Sequence, residues 1–188
     1  MGRRYLGAST HQRLINSQYM ISGESVDKAC SEVGEYTDDH MVGEFDRFFR
    51  AQPAVCEFII ELTQGSGQRI QELSLFLSYI VFKAIEMEQP GTAVTIKQEH
   101  IEAAYSNTES WMAQLSHAEN AELQATIAAS LNQDTEPFLL QYVISELNEP
   151  MEDGTELNDE EKGEVFFILK TVISSIDQEP KRRIIEVD

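Results

Sequence analysis

The sequence predicts an all-α protein, a compact bundle of about seven or eight helices, and three observations carry that expectation. Apolar residues recur at spacings of three and four along most of the 188 residues. No sustained alternation of period two appears, and helix caps and breakers fall at the edges of the periodic stretches. Apolar residues make up 41% of the chain and charged residues 25%, enough apolar content for a core and too much for a disordered polymer.

A first helix is predicted over 25–34, where Val26, Ala29, Cys30 and Val33 make one stripe. Thr37 or Asp38 caps the next, with Met41, Phe45, Phe48 and Phe49 on its inner side. Pro53 suits the first turn of a third helix, where a missing N–H costs nothing, and Val55, Phe58, Ile59 and Leu62 follow at i, i+3, i+4 and i+7. Gly65-Ser66-Gly67 ends it. A long helix then runs to about Met87 and is closed by Gln89-Pro90-Gly91. Thr95 with Gln98 resembles a capping box opening a helix through Ile101, Tyr105, Trp111 and Leu115. Ser116 with Glu119 permits another start, with Leu123, Ile127 and Leu131 spaced four apart. A final pair covers about 136–147 and 160–177, separated by an acidic loop. Its second member contains Phe166-Phe167-Ile168-Leu169, which wraps more than half of the helix circumference, so this helix is expected either at the centre of the bundle or with its outer face against another chain.

The two long helices match each other. Leu73, Phe76, Leu77, Ile80, Val81 and Ala84 correspond, at a constant offset of 92, to Val165, Ile168, Leu169, Val172, Ile173 and Ile176. Each follows a shorter helix opened by proline, Pro53 or Pro137. The prolines set an offset of 84, whereas the stripe Leu140, Val143, Ile144 and Leu147 matches Val55, Phe58, Ile59 and Leu62 better at 85. Two similar helical hairpins are one reading, and the general likeness of amphipathic hairpins is the other.

Charge divides the chain into a basic arm over 1–23, a helical domain over 24–179 and a tail over 180–188. The arm holds Arg3, Arg4 and Arg13 with no acid, and the tail carries Lys181, Arg182 and Arg183. Between them, residues 14–180 hold 8 basic and 31 acidic side chains, within a whole-chain net charge of −19. Such a surface repels a polyanion, which excludes direct nucleic-acid binding. The longest strongly apolar stretch, 73–82, is far shorter than the roughly 20 residues that cross a bilayer, so no membrane span is expected. Two cysteines, Cys30 and Cys56, are too few for a disulfide framework, and a cytoplasmic location follows as the expectation.

No motif in the sequence predicts a catalytic, cofactor-binding or metal-ligating residue. A carboxylate-bridged metal site in a bundle needs Glu-x-x-His on facing helices, which the chain lacks; His40 has Glu44 one turn on, while His11, His100 and His117 have no acid at i+3 or i+4. The acidic loop over 149–160 sets Gly154 and Glu160 at the sixth and twelfth places of a calcium loop. Met151 and Leu157 stand where side-chain oxygens are required, so a solvated turn is expected. No Gly-x-Ser-x-Gly elbow and no phosphate-cradling glycine motif is present. Cys30 and Cys56 sit on apolar stripes and read as packing thiols, and Glu57 with Glu61 and Glu119 with Glu122 read as surface pairs.

The function these absences leave is non-catalytic: an acidic helical adaptor or regulatory protein that binds another protein, a basic one by charge, with self-association open. Two alternatives stand beside it. One is an enzyme whose His40, Glu44 or other acids converge only in three dimensions; the other is an acidic mimic of nucleic acid.

Overall fold

The computed structural model describes residues 20–91, 94–115, 136–150 and 154–176. Among these residues it is entirely helical, with seven helices and no strand. They are α1 (Gly23–Gly34), α2 (Asp38–Ala51), α3 (Pro53–Leu62), α4 (Gln68–Glu88), α5 (Gln98–Leu115), α6 (Pro137–Glu146) and α7 (Asp159–Ile176). The helix proposed around Leu123, Ile127 and Leu131, and the tail, lie outside the described residues.

Caps explain most boundaries. The Ser22 hydroxyl accepts from the Ser25 N–H at 3.2 Å to open α1, and Thr37 Oγ1 accepts from the His40 N–H at 3.4 Å to open α2. Gly67, at φ +92°, makes the left-handed turn from α3 into α4 that glycine adopts without strain. Asn158 caps α7 by accepting from the N–H groups of Glu160 and Glu161, each at 3.0 Å. The Glu161 carboxylate returns to the Asn158 N–H at 2.9 Å, completing a reciprocal box. The proposed box at Thr95 is not formed in that way. Gln98 is the first residue of α5 rather than its third, and the Ile101 N–H bonds the carbonyl of Lys97.

The two long helices α4 and α7 pack against each other through the middle of the molecule. α1 covers α4 on one side, and α5 covers α7 on the other. Leu77, Ile80 and Val81 of α4 and Leu169, Val172 and Ile173 of α7 are all buried, as the offset of 92 requires. Each fully buried aliphatic side chain of this kind contributes roughly 1.5–3 kcal/mol. The Phe166-Phe167 pair is covered from α5: the Phe167 ring lies 5.3 Å from Tyr105, and Phe166 lies 6.2 Å from Trp111. Ser74 and Ser78 are completely buried, and neither hydroxyl has a hydrogen-bond partner among the described residues.

The short helices settle the register that the sequence left between two offsets. Gln52, Val55, Cys56, Ile59 and Thr63 are buried around α3, and Glu136, Leu139, Leu140, Val143 and Leu147 are buried around α6. These five pairs share the proline offset of 84, and the offset of 85 fails because Phe58 and Leu62 are only half-buried. Contacts repeat as well: α3 and α6 each pack on the long helix that follows, while α1 touches α6 and α5 touches α3.

Two local expectations need correction. Phe49, placed on the inner side of α2, is 38% exposed, because its position in the helical turn carries it past Phe48, the residue α2 does bury. The loop over 149–160 is not wholly solvated, since Leu157 is buried in the core. In addition, Ile21, which charge alone assigned to the amino-terminal arm, is buried, and its N–H donates to Glu136 Oε2 at 2.8 Å. Ser22 is held similarly, giving its N–H to Glu88 Oε2 at 2.9 Å and its hydroxyl to the same oxygen at 2.6 Å.

Candidate interaction surface

The densest polar cluster joins α1, α2 and α4. The Glu44 carboxylate accepts from Arg47 Nε at 3.0 Å and Nη2 at 2.8 Å, and from the Tyr79 hydroxyl at 2.9 Å. Arg47 reaches on to α4, donating from Nη2 to Glu86 at 2.8 Å as well as from Nη1. Lys83 Nζ lies 2.8 Å from Glu32 on α1 and 3.8 Å from Glu44, and the Tyr36 hydroxyl donates to Glu32 at 2.7 Å. The hydrogen bonds from Arg47 hold the Glu44 carboxyl well below its ordinary range, at about 2, against the opposing effect of burial. Burial, reinforced by the bond to Glu44, pushes the Tyr79 hydroxyl up.

This arrangement answers the His40–Glu44 question. The two do not converge: the His40 ring stacks on Tyr36 at 4.0 Å, and Glu44 is committed to Arg47 and Tyr79. Among the described residues no three His, Cys, Asp or Glu side chains gather as metal ligands would. His11, His117 and the pair Glu119 and Glu122 lie outside the described residues. Glu57 and Glu61 are both exposed on α3.

Neither cysteine is activated. Cys56 is buried and its thiol is pushed up to about 12 by desolvation. Burial also raises Cys30, with a hydrogen bond to Tyr142 acting the other way. A reactive thiolate requires the opposite shift.

Beside the polar cluster, Arg47, Phe48, Gln52, Tyr79, Phe82 and Glu86 are among the residues lining a cavity of about 140 Å³ between α2, α4 and the chain at Val94–Thr95. Pockets for cofactors or drug-sized ligands are typically about 300–1,000 Å³, so this space is too small for one. It arises because α2 stands off from α4 on large rings: Phe45 and Phe48 meet Tyr79 at 5.3 and 5.8 Å, and Phe48 meets Phe82 at 5.5 Å.

The same stand-off leaves α2 poorly covered. Of its 14 residues only Phe48 is buried, and Val42 is 65% exposed. Val42 and Phe49 lie on the side turned away from Arg47 and Glu44, and they are two of the few large apolar side chains that the described surface exposes. Hydrophobic periodicity detected the inner stripe of this helix but could not show which apolar residues would lack a neighbour.

No family model, curated protein or solved structure matches the chain. No helix among the described residues is long and apolar enough to cross a membrane.

Proposed function

We propose that this chain is a non-catalytic helical module that works by binding another protein. The observation that carries the reading is α2, which holds its charged side in a structural ion-pair network and leaves Val42 and Phe49 open to solvent. Polar groups of the kind that do chemistry are engaged here: Glu44 with Arg47 and Tyr79, Lys83 with Glu32. A cytoplasmic setting fits the two free thiols. The acidic composition favours a partner carrying positive charge and disfavours nucleic acid.

The test is purification of the tagged full chain from its own cell at low and high salt. One protein should be recovered at near-equal amount, and less of it as salt rises, because exposed charges are screened over roughly 10 Å at 0.1 M. Repeated recovery of nothing, together with metal retained stoichiometrically after dialysis, would replace this reading with an enzymatic one.

A further inference from the structure

We propose that the Val42–Phe49 side of α2 docks a segment of another protein in which Lys or Arg residues flank apolar side chains, an inference that rests on the protein-binding reading above. Val42, Phe45 and Phe49 stand at i, i+3 and i+7, which sets them in one continuous stripe along the helix. Phe45 is partly covered by Tyr79, and the other two are exposed. Asp38, Asp39 and Asp46 border the stripe, all exposed. Arg50, on the same outward surface, turns its Nε onto the carbonyl of Asp46 at 3.0 Å.

Charge complementarity decides among occupants. A second copy would bring a chain of net charge −19 against its like, with Arg50 set against three aspartates on this surface, and nucleic acid or an anionic bilayer would add negative charge to negative charge. A wholly apolar surface would dehydrate the aspartates without pairing them. A polypeptide that interleaves cations with apolar anchors satisfies both parts of the surface. The anchors supply most of the affinity, and the rim pairs supply association rate and salt dependence.

The experiment is heteronuclear NMR of the full chain titrated with a synthetic amphipathic helical peptide, Leu on one face and Lys on the other, beside the same peptide with Glu for Lys. The Lys peptide should shift amides over 38–50 with a dissociation constant below about 1 mM, and the Glu peptide should not. Val42→Ser, at a site too exposed to disturb the fold, should weaken binding several-fold, and adding Phe49→Ser should weaken it about tenfold or more. Asp38→Asn with Asp39→Asn and Asp46→Asn should flatten the salt dependence.

Shifts centred elsewhere, equal response to the Glu peptide, or unchanged affinity in Val42→Ser would overturn the proposal. Concentration-dependent dimerisation abolished by Val42→Ser would assign the face to a second copy. Movement of the residue 42 and 49 amides on Arg3→Glu with Arg4→Glu in the free chain would assign it to the chain's own arm. If these results go against the surface while affinity purification still yields a partner, the protein-binding reading stands and only its location falls.

Discussion

Gln52 and Glu136 occupy equivalent places in the two hairpins. Each precedes the helix-opening proline, each is 3% exposed, and each side-chain oxygen accepts from the N–H of an isoleucine outside the helices. Gln52 Oε1 accepts from Ile96 at 3.0 Å, and Glu136 Oε2 accepts from Ile21 at 2.8 Å. Gln52 also donates through Nε2 to the carbonyl of Val94.

Removing the Gln52 side chain should therefore be costly. Gln52→Ala leaves a buried N–H and a carbonyl without their partner and should destabilise by about 2–3 kcal/mol in urea unfolding; a loss below about 0.5 kcal/mol would refute the bond's importance. Gln52→Glu keeps the acceptor but sets a carboxylate against the Val94 carbonyl. Burial and that carbonyl raise the folded-state pKa of the introduced acid, so its deficit should be smallest below the unfolded value of about 4.3 and grow as pH rises above it.

Ser74 and Ser78 predict the opposite sign. Both hydroxyls are buried without a partner among the described residues, and each serine lies within a helix, where alanine has the higher propensity. Ser74→Ala and Ser78→Ala should each stabilise by about 0.5–1 kcal/mol. Destabilisation of either variant by more than about 1 kcal/mol in the same assay would show that the hydroxyl is satisfied.

Glu44 predicts a pH dependence. Its folded-state pKa, about 2, lies below the roughly 4.3 of an unfolded glutamate. The stabilisation it contributes is thus complete above that unfolded value and is lost as pH falls toward 2. Glu44→Gln should cost about 1–2 kcal/mol at neutral pH, discounted for the half-exposed Arg47. The gap between wild type and variant should be flat above about pH 5 and close on acidification; a gap that widened in acid would contradict the Arg47 pairing.

Periodicity makes the helices legible because each buries a stripe, and their starts are legible where Thr37, Pro53 or Pro137 stands at the boundary, whereas Ser22 is passed over because the first stripe begins four residues later. Thr95 misled because the pattern Thr-x-x-Gln is satisfied in sequence while Lys97 already holds the first turn. The register of α3 against α6 was ambiguous because half-buried Phe58 and Leu62 look apolar enough to count as core. The α2 surface is hidden for a related reason: hydropathy ranks Phe49 as inward and leaves Val42 unplaced, and only the lack of a covering helix among the described residues shows both to be outward. Likewise Arg47, three residues on, is a partner of Glu44 that local spacing offers, whereas Tyr79, 35 residues away on α4, has no such signal.

The exchange of anchors between the hairpins means that neither half is self-sufficient. Ile21 at the head of α1 is tied down by Glu136 from the second half, and Ile96 at the head of α5 is tied down by Gln52 from the first. A chain severed at the Pro90-Gly91 bend would yield two fragments, each presenting an orphaned amide that only the other can quench. The molecule is in effect its own heterodimer, and it should melt in a single step because loosening either partner exposes both.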